Sequence, residues 1–182
     1  MKECLLLVDL QNDYFPGGKM ELVEVEKAAA NAQLLLEVFR GRKWPVIHIQ
    51  HISTRPGAGF FLPETKGVQI NERVVPRSGE IIVAKSFPNS FRETKLLEIL
   101  KKTDIKNLLI CGAMSHMCID ATTRVAFDLG FTCRVAEDAC ATRDLVFKGR
   151  TLKALEVHGS FMAALSGLYA EVAITGEIIN QT

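Results

Sequence analysis

Asn107-Leu-Leu-Ile-Cys-Gly-Ala-Met-Ser-His-Met-Cys118, running into Ile119-Asp-Ala-Thr-Thr-Arg-Val-Ala-Phe-Asp-Leu-Gly130, reads as a buried strand, a tight glycine-containing loop, and a cysteine on the first turn of a helix. A helix N-terminus carries unpaired backbone N–H groups and a partial positive charge. A thiol placed there is easier to ionise, and the same N–H groups can hold a developing oxyanion. The segment thus has the layout a cysteine nucleophile needs. Read alone, it fits equally a free cysteine packed at a strand–helix junction.

On either side of this segment the chain alternates short apolar runs with longer amphipathic ones. Cys4–Asp9, Trp44–Gln50, Glu80–Lys85, Leu108–Ala113, Phe131–Ala136 and Ala170–Ile174 read as strands by length and by Leu, Val and Ile content. Between them, Val25, Ala28, Ala29, Ala32, Leu35, Leu36 and Phe39 recur at helical spacing within Glu21–Gly41. Ser90-Phe-Arg-Glu93 has the form of a capping box opening a helix to about Thr103; Ile119–Leu129 and Lys148–Leu165 complete the predicted helices. Such alternation requires crossover connections, so a single α/β domain over residues 1–182 is expected. Its architecture is a three-layer, Rossmann-like arrangement, with a mostly parallel sheet of about six strands and helices on both faces. Ser53–Val75 is long for a structureless connection, which points to a functional loop.

The bulk properties exclude several function classes. With 22 Lys+Arg against 21 Asp+Glu, the net charge is +1 and no basic stripe stands out, so nucleic acid and anionic membrane are not expected partners. The N-terminal apolar run is five residues long and ends in Asp9, too short for a signal-peptide core or a membrane span, and a soluble cytoplasmic protein is expected. Five cysteines without zinc-ligand spacing read as reduced thiols, with Cys4, Cys111 and Cys133 in the core. Gly57-Ala-Gly59 lacks the third glycine and the strand–helix setting of a dinucleotide fingerprint, no phosphate-cradling loop is present, and no cofactor is expected.

In an open parallel sheet, functional groups gather outside the carboxyl ends of the strands. Those ends here are Asp9, Lys85 and the Cys118 loop: a carboxylate, an ammonium and a thiol. Together they offer a base, a charge stabiliser and a nucleophile. Strands lie about 4.8 Å apart, so Lys85 can take part only if it lies near the other two, directly or through a bend in the chain.

Leu7-Val-Asp-Leu-Gln-Asn-Asp13, Val83-Ala-Lys-Ser-Phe-Pro-Asn-Ser-Phe91 and Cys111-Gly-Ala-Met-Ser-His-Met-Cys118 resemble the motifs of the isochorismatase-like cysteine hydrolases, over essentially the whole chain. That family includes nicotinamidases and N-carbamoyl-amine amidases. The resemblance implies a small-molecule substrate and a catalytic triad of Asp9, Lys85 and Cys118. It also implies a cis peptide at Ala113–Met114 and an oxyanion hole formed by the Met114 and Cys118 N–H groups. Asp138-Ala-Cys-Ala-Thr142 resembles a structural segment of the family, and a homodimer or homotetramer is implied.

Nicotinamidases hold a divalent metal through an Asp-x-His pair after the second strand, together with a further His. The matching positions here are His51 and Ser53, and His48 and His51 differ by an odd number along a strand, so no metal is expected. His48 reads as a sheet residue and His51 as a group at the pocket mouth. Tyr14 either packs on substrate or belongs to the core. Gln11 and Asn89 either orient substrate or make local turn bonds. His116 is a candidate substrate contact, His158 reads as structural, and Arg55, Phe60 and Phe61 either shape specificity or cover a neighbouring subunit. Three chemistries compete on this layout. They are cleavage of an amide, carbamoyl or ureido C–N bond through Cys118, vinyl-ether cleavage needing only a carboxylic acid, and phosphate chemistry on Asp9. The last would want a carboxylate where Gln11 stands. A non-catalytic binding protein on the same fold is the remaining alternative.

Overall fold

β1 (Glu3–Val8) is buried at every position, as expected of a strand covered on both faces, and the sheet grows outward from it. The computed structural model of the chain describes residues 3–181. α1 (Val25–Gly41) follows β1 and buries all seven apolar residues that its helical spacing singled out. Next come β2 (Val46–His51), β3 (Ile81–Lys85), α2 (Leu96–Lys102), β4 (Asn107–Ala113) and α3 (Asp120–Asp128). β5 (Thr132–Ala141), a short hairpin of β6 (Leu145–Phe147) and β7 (Arg150–Leu152), α4 (Ala154–Ser166), β8 (Glu171–Ala173) and α5 (Thr175–Gln181) complete the chain.

Six strands form one sheet in the order β3-β2-β1-β4-β5-β8, every pairing parallel. The direction of progression reverses between β1 and β4. Right-handed crossovers on either side of that reversal send α1 to one face and α3 to the other. The reversal also opens a crevice at the carboxyl ends of β1 and β4, where ligands bind in open α/β sheets. Asp9 leaves β1 on one side of it, and the Cys118 turn leaves β4 on the other.

Gly112 lies inside β4. Its φ is +125°, and a Cβ there would stand 2.0 Å from the Val8 carbonyl oxygen of β1. Glycine is what lets β4 hug β1 at the point where the β4–β5 register shifts, between Ile110 and Gly112.

Several expected boundaries move. The capping box at Ser90 does not form: Glu93 has φ +56° and α2 starts only at Leu96. The Ser90 hydroxyl instead lies 2.8 Å from the Thr122 hydroxyl of α3, and the Ser90 N–H donates to the same oxygen. The helix expected over Lys148–Leu165 begins at Ala154, because Lys148 and Gly149 both take positive φ (49° and 78°) and turn the chain into the β6–β7 hairpin. Residues 21–24 precede α1 as a bridge from Val23 to Thr142. β5 runs five residues beyond Ala136, taking in Asp138-Ala-Cys-Ala141. Asp138 accepts from the Thr175 N–H and hydroxyl, both at 2.7 Å, and so pins the start of α5, an element the strand–helix pattern missed. No helix among the described residues is long and apolar enough to cross a membrane.

His48 is a buried sheet residue whose Nε2 lies 2.9 Å from Glu80, and Glu80 also receives Arg40 Nε at 2.7 Å. Burial would raise the Glu80 carboxyl, but hydrogen bonds from Arg40, the Arg77 N–H and His48 outweigh it and hold its pKa down at about 2. A carboxylate depressed by folding stabilises the native state above its unfolded pKa, and that contribution disappears as pH falls through the folded value. The wild type is therefore expected to lose on the order of 1–2 kcal/mol between pH 4.5 and pH 2 from this group, after allowance for its partial solvation. Acid titration of the melting temperature checks this; in Glu80→Gln the acid-dependent increment should shrink.

Candidate active site

Asp9, the first residue beyond β1, is fully buried and held at φ +53°, a region few non-glycine residues adopt but one that Asp tolerates. Its N–H donates to the Ile49 carbonyl of β2 at 3.0 Å, and its own carbonyl receives the Gln11 N–H at 2.9 Å. These bonds turn the chain so that the carboxylate faces the crevice. Lys85 ends β3, the edge strand, two strands away from β1. Its stem crosses the end of β2, which stops at His51 opposite Lys85. The concern over its reach is met by the side chain and not by a bend in the strand.

Lys85 Nζ lies 2.7 Å from Asp9 Oδ2 and 3.2 Å from Cys118 Sγ. It also lies 3.2 Å from His51 Nδ1, 3.1 Å from the Phe87 carbonyl and 3.3 Å from the Pro88 carbonyl. Five acceptors thus converge on three N–H groups. Burial works against the lysine charge, but the Asp9 carboxylate and the Cys118 sulfur outweigh it and raise the pKa above the ordinary lysine value. The other carboxylate oxygen, Asp9 Oδ1, is buried with no hydrogen-bond partner among the described residues. It is an acceptor waiting for a proton or a ligand N–H.

Cys118 stands in a π-helical turn (Ser115–Ile119) that leads into α3, so the cysteine does open a helix. The Ala113–Met114 peptide just before it is cis. The expectation of an easily ionised thiol fails for the resting state. Burial raises the Cys118 pKa strongly, Asp9 adds to the rise, and Lys85 only partly opposes them. Ionising this thiol therefore calls for a base beside it, and Asp9, Cys118 and His51 each place a polar atom within 4.8 Å of the others.

Those three groups have donor atoms suited to a metal, but Lys85 Nζ already sits within hydrogen-bond distance of one atom of each. The residues do not fit a divalent ion, because the positive charge on which they converge is the lysine's own.

The Gln11 side chain is committed to backbone groups. It is fully buried; its amide nitrogen donates to the His51 and Val68 carbonyls, each at 2.8 Å, and its oxygen accepts the His51 N–H at 2.7 Å. Tyr14 is equally buried, packed on Phe61 with ring centroids 4.6 Å apart, in a cluster that includes Ala113 and Met114. It supports the cis-peptide turn from beneath. Asn89 caps its own turn by accepting the Phe91 N–H. His116 is half-buried, with Nδ1 2.6 Å from the Thr142 hydroxyl. His158 braces the turn that carries Cys118 through Ser115, its Nδ1 2.8 Å from the Ser115 hydroxyl.

The long loop closes over the site. Its Phe61 is fully buried between Tyr14 and His51, and its N–H donates to Asp13 Oδ2 at 2.6 Å. Asp13 was missed in the sequence: its buried carboxylate also receives the Lys19 N–H, and a Cβ at Gly67 would strike it. Phe61 and Gly67 lie about fifty residues away, so the sequence around Asp13 does not mark its carboxylate as buried. Beside Lys85 a cavity of about 220 Å³ is lined by Ile52, Thr54, Ser86, Phe87 and Glu93. A larger one of about 580 Å³ opens at the other end of the sheet, among Trp44, Val46 and Ile105, away from the three groups. Neither is lined by Asp9, Cys118 or His51.

Known proteins share this fold. The family model for the isochorismatase domain matches residues 3–166. YddQ of Bacillus subtilis, an uncharacterized isochorismatase family protein, is 50% identical over 175 residues, covering 96% of this chain and 97% of its own. A crystal structure from Oleispira antarctica, described as that of an isochorismatase hydrolase, superposes with a TM-score of 0.95 at 49% identity, covering 98% of this chain and 96% of that one. The streptothricin hydrolase of Streptomyces noursei is 30% identical over 97% of this chain, which spans 60% of that protein.

Proposed function

This chain belongs to the isochorismatase family of hydrolases, and from that premise we propose that it cleaves a C–N bond of a small amide, carbamoyl or ureido compound through a thioester on Cys118. The observation that carries the reading is the buried contact of Lys85 Nζ with both Asp9 and Cys118, at 2.7 and 3.2 Å. Likeness to a streptothricin hydrolase supports hydrolysis as the reaction class.

The mechanism follows from the charges. Substrate enters and displaces water, and Asp9 accepts the Cys118 proton while Lys85 holds the emerging thiolate. The sulfur attacks the carbonyl carbon, and the carbonyl electron pair moves to an oxyanion that the Met114 and Cys118 N–H groups receive. As the tetrahedral species collapses, the C–N bond breaks and Asp9 returns the proton to the departing nitrogen. Water, deprotonated by Asp9, then attacks the thioester and frees the acid and the thiol. A buried thiol with a high resting pKa suits this order, because it ionises only when base and electrophile are both in place. The thiol is also what sets this reading apart from vinyl-ether cleavage, for which a carboxylic acid suffices.

Ammonia release is expected from at least one member of a panel of small carboxamides, carbamoyl and ureido compounds, and the acyl group should be found on Cys118 by mass spectrometry after acid quench. Silence across all three classes would overturn C–N cleavage.

A further inference from the structure

His51 has a tautomer that its neighbour dictates. Its Nδ1 lies 3.2 Å from Lys85 Nζ, and an ammonium has protons but no lone pair, so Nδ1 must be the acceptor. The ring proton then sits on Nε2. Nothing among the described residues accepts it, and Nε2 is absent from the buried atoms that lack partners, so it is not sealed from solvent; a ring nitrogen of His51 lies within 4.8 Å of the Cys118 sulfur. The ring is held on several sides. Gln11 fixes the His51 backbone through both its N–H and its carbonyl, and Phe61 packs on the ring with centroids 5.8 Å apart. A second positive charge on the ring is disfavoured, first by burial, and also by Lys85 and Arg55 against the pull of Asp9. With its Nδ1 lone pair engaged and its Nε2 protonated, the imidazole cannot serve as a base at rest. What it offers is one rigid, neutral N–H.

We propose that His51 is a specificity-determining contact: its Nε2–H donates to an acceptor atom of the substrate one or two bonds from the atom that Cys118 attacks. This rests on the assignment of Cys118 as the nucleophile. It narrows the substrate class to small C–N compounds that carry a second oxygen or nitrogen acceptor next to the scissile group. Compounds with only apolar carbon there would leave the N–H buried and unpaired on binding, the arrangement by which polar pockets reject analogues.

Two alkylating agents test it without a known substrate. Iodoacetamide carries a carbonyl acceptor beside its reacting carbon; allyl bromide has none. Rates of Cys118 modification, mapped by mass spectrometry and divided by the rates for free cysteine, should favour iodoacetamide about tenfold in the wild type. His51→Phe, which keeps the ring shape, should bring the ratio of the two normalised rates close to one, and His51→Gln, which restores an N–H, should recover most of the preference. If His51 merely positions Lys85, both rates fall together in His51→Phe with their ratio kept, and the proposal is overturned. Equal normalised rates in the wild type overturn it too, even if neither variant folds. Failure of either reagent to modify Cys118 in preference to the other four cysteines strikes at the nucleophile assignment itself, a result distinct from a lost preference.

Discussion

Cys118→Ala should abolish turnover, by about four orders of magnitude or more, while the protein stays folded. The sulfur is almost fully buried and touches Lys85 at 3.2 Å, so its removal leaves a small void and one unfilled hydrogen-bond direction on the ammonium. Lys85 has four other acceptors within 3.3 Å, so the structural loss is modest, on the order of 1 kcal/mol, or about 2–4 °C in melting temperature. The chemical loss is total, because no other group at the crevice can form the acyl-enzyme. Cys118→Ser makes the sharper test. The hydroxyl keeps the hydrogen bond but is far harder to ionise, so stability should be retained and activity should still be lost. The other cysteines give an internal control. Cys4, Cys111, Cys133 and Cys140 are also buried, and replacing any of them by Ala should leave turnover in place. Turnover in Cys118→Ala above about a tenth of the wild-type rate would end the nucleophile assignment.

Lys85→Met is expected to destabilise the fold by about 3–5 kcal/mol as well as silence it, because it strands a buried carboxylate without its counter-charge. Both side chains of the pair have no exposed surface, and Asp9 Oδ1 already lacks a partner, so Oδ2 would lose its charged donor. Asp9→Asn combined with Lys85→Met replaces the ion pair by neutral groups and should recover much of the lost stability without recovering turnover. Urea denaturation of the single and double variants gives the coupling between the two residues, expected to exceed about 1.5 kcal/mol. Additive losses would mean that the pair does not act as a unit. The pattern separates two roles that one substitution confounds: holding the sheet end together and running the reaction.

The strand ends carried most of what could be read of the site. Asp9 and Cys118 follow from apolar runs that stop at a polar group, and the parallel topology brings any two such ends together at the reversal of strand order. Tyr14 and Gln11 show where that reading stops. Both are polar-tipped residues next to a candidate base, and both were open between pocket and scaffold. The fold buries both, because a long loop from far along the chain comes back to cover them. The Ser90 capping box and the helix start at Lys148 failed for a related reason. In each, a non-glycine residue adopts positive φ, Glu93 in one and Lys148 in the other, and local propensity is outvoted by where the chain must go next.

The order of strands and helices, the buried face of α1, the need for parallel crossovers and the three groups at the strand ends were all determined by residues close together in the chain. Periodicity and turn chemistry are local properties. The reach of Lys85 across β2, the resting protonation of Cys118, the commitment of Gln11 to backbone groups, and the tautomer of His51 were decided only by the tertiary structure. Each depends on a distance between residues 33 to 76 positions apart, and on burial that amplifies every charge inside it.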